Sequence, residues 1–131
     1  MHLINIHSLE LREFFDAEIP VLDSYKGYII LSHTWGKEEI SFAEWNTIQD
    51  NPNSENAKLL REKEGYRKIL AFLGQVQEWS HRMFNDKLEC AWVDTCCIDK
   101  KSSAELSEAI NSMYVWYAEA ASCFAYLSIS E

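Results

Sequence analysis

Tyr28-Ile29-Ile30-Leu31-Ser32-His33 is a short run rich in β-branched residues, with Gly27 before it and Thr34-Trp35-Gly36 after it. Its apolar residues are continuous and do not alternate with polar ones. A strand solvated on one face alternates, whereas a continuous run is the pattern of a strand covered on both faces. Two further runs of the same kind follow: Cys90-Ala91-Trp92-Val93, closing on Asp94, and Cys123-Phe124-Ala125-Tyr126-Leu127. Between the first two, Asp50-Asn51-Pro52-Asn53-Ser54 is a loop by composition. From about Ala57 to Phe84, Tyr66, Ile69, Leu70, Leu73, Val76, Trp79 and Met83 recur at helical spacing, and Asn85-Asp86 ends the pattern. Between the last two runs, Ser102 and Glu105 form the ends of a capping box. The helix behind it carries Leu106, Ile110, Met113, Tyr117 and Ala120 on one stripe.

Three short strands separated by long helical segments predict a βαβαβ order, hence an α/β fold with a mostly parallel sheet, right-handed crossovers and helices packed on the sheet. The extreme N-terminus, around Leu3 to Ile6, is expected to add an edge strand. The chain contains no internal repeat and no low-complexity stretch.

At 131 residues the chain is long enough for one domain with a core of its own. Its 47% apolar content, five Trp, six Tyr and six Phe supply that core, and four Gly with two Pro exclude a disordered or fibrous chain. The net charge of −9 argues against a nucleic-acid partner, since phosphate binding needs clustered Lys and Arg. In the nearest candidate cluster, Glu62 and Glu64 interrupt Lys58, Arg61, Lys63, Arg67 and Lys68, which reads as a solvated helix face. No apolar run approaches the roughly 20 residues of a membrane span, and no secretory signal is visible. Cys90, Cys96, Cys97 and Cys123 form neither a disulfide framework nor a zinc-ligand pattern, so reduced, mostly buried thiols in a cytoplasmic protein are expected.

Ligands of open parallel sheets gather beyond the carboxyl ends of the strands. The loops there run Ser32-His33-Thr34-Trp35-Gly36 and Asp94-Thr95-Cys96-Cys97-Ile98-Asp99-Lys100. If their strands are neighbours, His33, Trp35, Asp94 and Asp99 converge on one edge. Plainer roles stay open for each. His33 fits a satisfied structural histidine, Trp35 a lid on the core, and Asp94 and Asp99 caps for the turn and next helix. Cys96 suits a nucleophile only with a base beside it, and burial favours an inert thiol. Glu105 and Glu108 suit the positive end of a helix. No phosphate-cradling glycine loop is present.

The motifs resemble a known family. Tyr28 through Gly36 is similar to the first signature block of the fungal heterokaryon-incompatibility (HET) domain, and Ala91 through Lys100 to its second. Ser102 through Tyr117 continues the second block into Cys123-Phe124-Ala125-Tyr126-Leu127, and Met1 to Phe15 resembles the family's usual start. Residues 1–131 are thus expected to be a single HET domain, its N-terminal part. The family's later block, rich in Trp and Glu, has no counterpart before the sequence ends.

The resemblance implies a cytoplasmic module of non-self recognition and programmed cell death, acting through self-association or other effector domains. HET domains also resemble TIR (Toll/interleukin-receptor) domains, three-layer flavodoxin-like modules, some of which cleave NAD. On that likeness Ser32, His33, Trp35, Asp94 and Asp99 would line a nucleotide site, with NAD as ligand or substrate. The cleaving glutamate would belong to the later block, so Glu131 receives no catalytic role and this stretch alone is expected to be inactive. A regulatory remnant competing with full-length HET proteins is the alternative. The incomplete sheet should leave an edge to be covered by self-association, strand exchange or the N-terminal segment.

Overall fold

The structure is a computed structural model, and it describes residues 1–33 and 35–126. The readings that fall on Thr34, Leu127 and residues 128–131 lie outside the described residues.

The elements run β1 (His2–Asn5), β2 (Leu11–Glu13), a 3-10 turn (Asp16–Glu18), β3 (Val21–Leu22), β4 (Tyr25–His33), α1 (Phe42–Asp50), α2 (Glu55–Arg61), α3 (Glu64–Phe84), β5 (Cys90–Val93), α4 (Ser103–Glu119) and β6 (Ala120–Tyr126). The fold is α/β. Strand β4 is its axis, because Tyr28, Ile29, Ile30 and Leu31 are all buried. Each such side chain contributes roughly 1.5–3 kcal/mol of burial.

Strand β4 pairs in parallel with β5 on one side, Ile30 opposite Trp92, and in parallel with β6 on the other, Ile30 opposite Cys123. The remaining pairings are antiparallel: β3 with the start of β4, β1 with β5, and β1 with β2. Among the described residues the sheet is therefore mixed and six-stranded, a correction to the expected mostly parallel one. The three strands read from apolar runs are the parallel ones. The antiparallel strands are two to four residues long, too short for periodicity to reveal. The N-terminal strand is real but not an edge, since it lies between β2 and β5.

Helices touch both faces of the parallel triad. On β5, the Trp92 ring meets Trp116 of α4 at 5.7 Å. On β6, the Phe124 ring meets Phe72 and Trp79 of α3 at 6.1 and 5.7 Å. Side chains alternate along a strand, and the register aligns Trp92 with Ile30 but Phe124 with Leu31, so α3 and α4 cover opposite faces. The Tyr28 hydroxyl donates to the Trp116 carbonyl at 2.6 Å, fixing α4 to β4.

The expected single helix over residues 57–84 is two helices, and α1 precedes them, ahead of the loop read at Asp50–Ser54. A reciprocal capping box of Ser41 and Glu44 starts α1, and it buries Trp45 and Ile48. The break between α2 and α3 falls at Glu62–Lys63, with Lys63 extended. Gly65 explains the constraint there: a Cβ would lie 2.8 Å from the Glu39 Cα and nearer still to the Glu38 carbonyl oxygen. Helix α3 ends at Asn85 in the left-handed conformation, φ 53°, as the Asn85-Asp86 pair suggested.

The charged stretch from Lys58 to Lys68 is not wholly a solvated face. Lys68 is buried and its Nζ lies 2.7 Å from Glu39 Oε2. Only half of the capping box expected for α4 forms. Ser102 Oγ accepts from the Glu105 backbone N–H, but the Glu105 carboxylate turns to His2 Nδ1 at 2.6 Å.

Candidate functional site

The carboxyl ends of β4 and β5 lie side by side, because Leu31 is registered to Val93. This brings the loop after β4 against the loop after β5. His33 Nε2 lies 2.9 Å from Asp94 Oδ1, and the Trp35 indole N–H donates to Asp94 Oδ2, also at 2.9 Å. One carboxylate thus joins the two loops. Burial alone pushes the Asp94 carboxyl upward, but the hydrogen bonds from His33 and Trp35, with the Lys100 charge nearby, outweigh it and hold it below its ordinary range.

An ionised carboxylate only accepts, so the His33 proton facing Asp94 sits on Nε2. The His33 side chain is 1% exposed and its Nδ1 has no hydrogen-bond partner among the described residues. It therefore turns Nδ1 toward a closed interior. Asp94 keeps 28% of its side chain exposed, so the pair reaches the surface through the carboxylate.

Lys100 completes the arrangement. Its Nζ donates to the Asp94 carbonyl at 2.7 Å and to the Thr95 carbonyl at 3.3 Å, and it lies 4.6 Å from the centre of the Trp35 ring. Burial pushes the Lys100 ammonium down from its ordinary value, with Asp94 opposing the shift. Trp35 is 51% exposed, with its N–H held by Asp94 and a cation against its ring, so it is an oriented surface indole.

Of the five residues expected to line a ligand site, the structure brings three together: His33, Trp35 and Asp94. Asp99 is outside that hydrogen-bond network but lines the same pocket as Trp35. Its Oδ1 accepts from the Lys101 backbone N–H at 3.1 Å and its carbonyl from the Ser102 N–H at 3.1 Å, so it shapes the entry to α4. Ser32 faces the other side of the sheet, as strand alternation requires. There the Tyr117 phenol hydrogen-bonds to it, while burial pushes that phenol up.

Cys96 is fully buried, and burial with Cys97 beside it pushes its thiol well above the ordinary value, which leaves it unreactive. All four cysteines are free thiols. Among the described residues no helix is long and apolar enough to cross a membrane.

Sequence reasoning passed over Glu39, Thr95 and Lys100. Glu39 Oε2 accepts from the Gly36 N–H and the Lys68 ammonium, which closes the loop after β4 onto α3. Thr95 is 3% exposed. Lys100 stood within the quoted loop. Glu39 gave no signal, because a glutamate in a polar stretch reads as solvated.

A family model described as heterokaryon incompatibility protein (HET) matches residues 28–131. Vegetative incompatibility protein HET-E-1 of Podospora anserina is 43% identical over 103 residues, covering 77% of this chain and 6% of that protein. The chain thus spans a small fraction of its relative's length. No solved structure matches.

Proposed function

This chain belongs to the heterokaryon incompatibility (HET) family, and from that premise we propose that it is a signalling module of fungal vegetative incompatibility, acting in the cytoplasm by assembly with like domains to trigger cell death. The observation that carries assembly is on α4 and β6. Ile110 and Tyr114 lie one helical turn apart and are 67% and 84% exposed. An apolar helical stripe of this kind is a ready contact surface. Strand β6, which follows α4 directly, pairs with β4 alone among the described residues, so its other edge offers backbone donors and acceptors to a further strand.

Sedimentation of the purified chain, beside an Ile110→Glu, Tyr114→Glu double variant, tests the proposal. Concentration-dependent association in the parent and none in the variant supports it. A parent that stays monomeric at every concentration sinks it. Expression next to a full-length HET protein separates two kinds of assembly. Provoked death fits an effector, and suppressed death fits a regulatory competitor.

A second reading is a TIR-like nucleotide domain, an NAD nucleosidase in its complete form, and one observation favours it. The parallel strands lie in the order second-first-third, the order that begins a flavodoxin-like sheet. His33, Trp35 and Asp94 sit at the carboxyl ends of those strands, where such sheets take ligands. NAD turnover by this chain, compared with one extended through the later Trp- and Glu-containing block, tests it. Turnover in neither would confine the likeness to the fold.

A further inference from the structure

The loops after β4 and β5 and the first turn of α1 border a cleft of about 220 Å³. Sites for drug-sized ligands span roughly 300–1,000 Å³, so the occupant of this one is smaller. Trp35, Phe42, Ala43 and Ile98 make its lining mainly apolar. Trp35 is half exposed and Asp94 holds its indole N–H, so the aromatic wall is preformed.

Two charged groups at this cleft are not used by the fold. Asp99 is partly buried, and its Oδ1 accepts from the Lys101 backbone N–H at 3.1 Å. Its carboxylate meets no cation among the described residues. The exposed Lys101 ammonium has no ion-pair or hydrogen-bond partner among them either. Lys100, between the two, is already engaged by the Asp94 and Thr95 carbonyls and lies 4.6 Å from the centre of the Trp35 ring. The cleft thus pairs an apolar lining with one spare negative and one spare positive charge. A ligand with only a negative charge would be repelled by Asp99, and one with only a positive charge by Lys101. A small zwitterion satisfies both.

We propose that this cleft binds a free α-amino acid with a large apolar side chain. The ligand's ammonium donates to Asp99, its carboxylate accepts from Lys101, and its side chain packs against Trp35 and Phe42. Both polar contacts are charge-assisted, the stronger kind of hydrogen bond. The site is separate from the α4 surface that carries assembly and from the His33–Asp94 pair, and it involves no bond cleavage. The proposal goes beyond both readings of the function and depends on neither.

Calorimetric titration of the whole chain with L-phenylalanine, 2-phenylethylamine, 3-phenylpropionate and glycine tests it. The last three lack, in turn, the carboxylate, the ammonium and the apolar side chain. L-phenylalanine should bind, and each of the others should bind about tenfold more weakly or worse. Asp99→Asn keeps an oxygen for the Lys101 N–H and removes the charge. It should weaken L-phenylalanine about tenfold without lowering the melting temperature. Lys101→Gln should weaken it by a similar factor. No binding of L-phenylalanine overturns the proposal. So does binding of either singly charged analogue as tight as that of L-phenylalanine, or binding unchanged in either variant.

Discussion

The Trp35 indole N–H and the Asp94 carboxylate meet at 2.9 Å across 59 residues of sequence. That hydrogen bond ties the loop after β4 to the loop after β5 and sets the angle of an exposed aromatic side chain. His33 holds the other oxygen of the same carboxylate at 2.9 Å. The carboxylate is therefore the hinge pin of the strand-end surface.

Asp94 stabilises the fold while ionised. Its folded pKa lies below the ordinary 3.8, so its contribution is fully present above that value and is lost as pH falls through the folded value. At neutral pH, Asp94→Asn should cost about 2 kcal/mol. The gap between parent and variant should close as pH falls below about 4. Urea unfolding of both proteins at neutral and strongly acidic pH checks the sign.

Thr95→Val should raise stability. The threonine hydroxyl is buried without a partner, and valine keeps its shape while removing the unsatisfied group. The expected gain is about 1 kcal/mol. Thermal denaturation of the ligand-free chain measures it. A loss of similar size would mean that the hydroxyl is hydrogen-bonded in solution.

Gly65→Ala should be costly although Gly65 sits in the first turn of α3, where alanine is ordinarily the better helix former. The added methyl would run into the Glu38–Glu39 backbone, which has no flexible end to move aside. A loss of about 2–3 kcal/mol is expected. Gly74→Ala is the control: it has open space around its Cβ position and should be neutral or stabilising. Chemical denaturation of the two variants side by side separates steric conflict from helix propensity.

Ile110→Glu and Tyr114→Glu should leave stability within about 0.5 kcal/mol of the parent, since both side chains are exposed. Their effect should fall on association instead. A melting temperature that drops with each substitution would show these side chains to be buried in solution by some other part of the protein.

Two strands of the parallel triad were legible because they are buried on both faces, and Tyr28 to Leu31 and Cys90 to Val93 announce that by unbroken apolarity, whereas β6 carries an equally apolar run with Cys123 and Ala125 exposed. Strands β2 and β3 were not legible. Leu11–Glu13 and Val21–Leu22 owe their conformation to pairing with β1 and β4, which no local period records. Helix α1 was missed for a related reason: only Trp45 and Ile48 of its nine residues are buried, too few to stand out as a stripe.

At the strand ends, the convergence of His33, Trp35 and Asp94 followed from placing their strands side by side. Asp99 sits five residues beyond Asp94 in a turn that carries it away from that carboxylate. Ser32 was separated from His33 by the pleat, which sends adjacent side chains to opposite faces.

The place of β1 between β2 and β5 bears on how the protein is made. Asn5 is registered to Cys90, so β1 must wait for a strand synthesised 85 residues later. At roughly 5–20 residues per second, Leu3, Ile4 and Ile6 stay uncovered for roughly 4–17 seconds after they leave the ribosome. Closing the sheet is then a long-range event, slower than winding α3 or α4. Throughout that interval the nascent chain presents these apolar side chains to chaperones and to neighbouring chains on the same message.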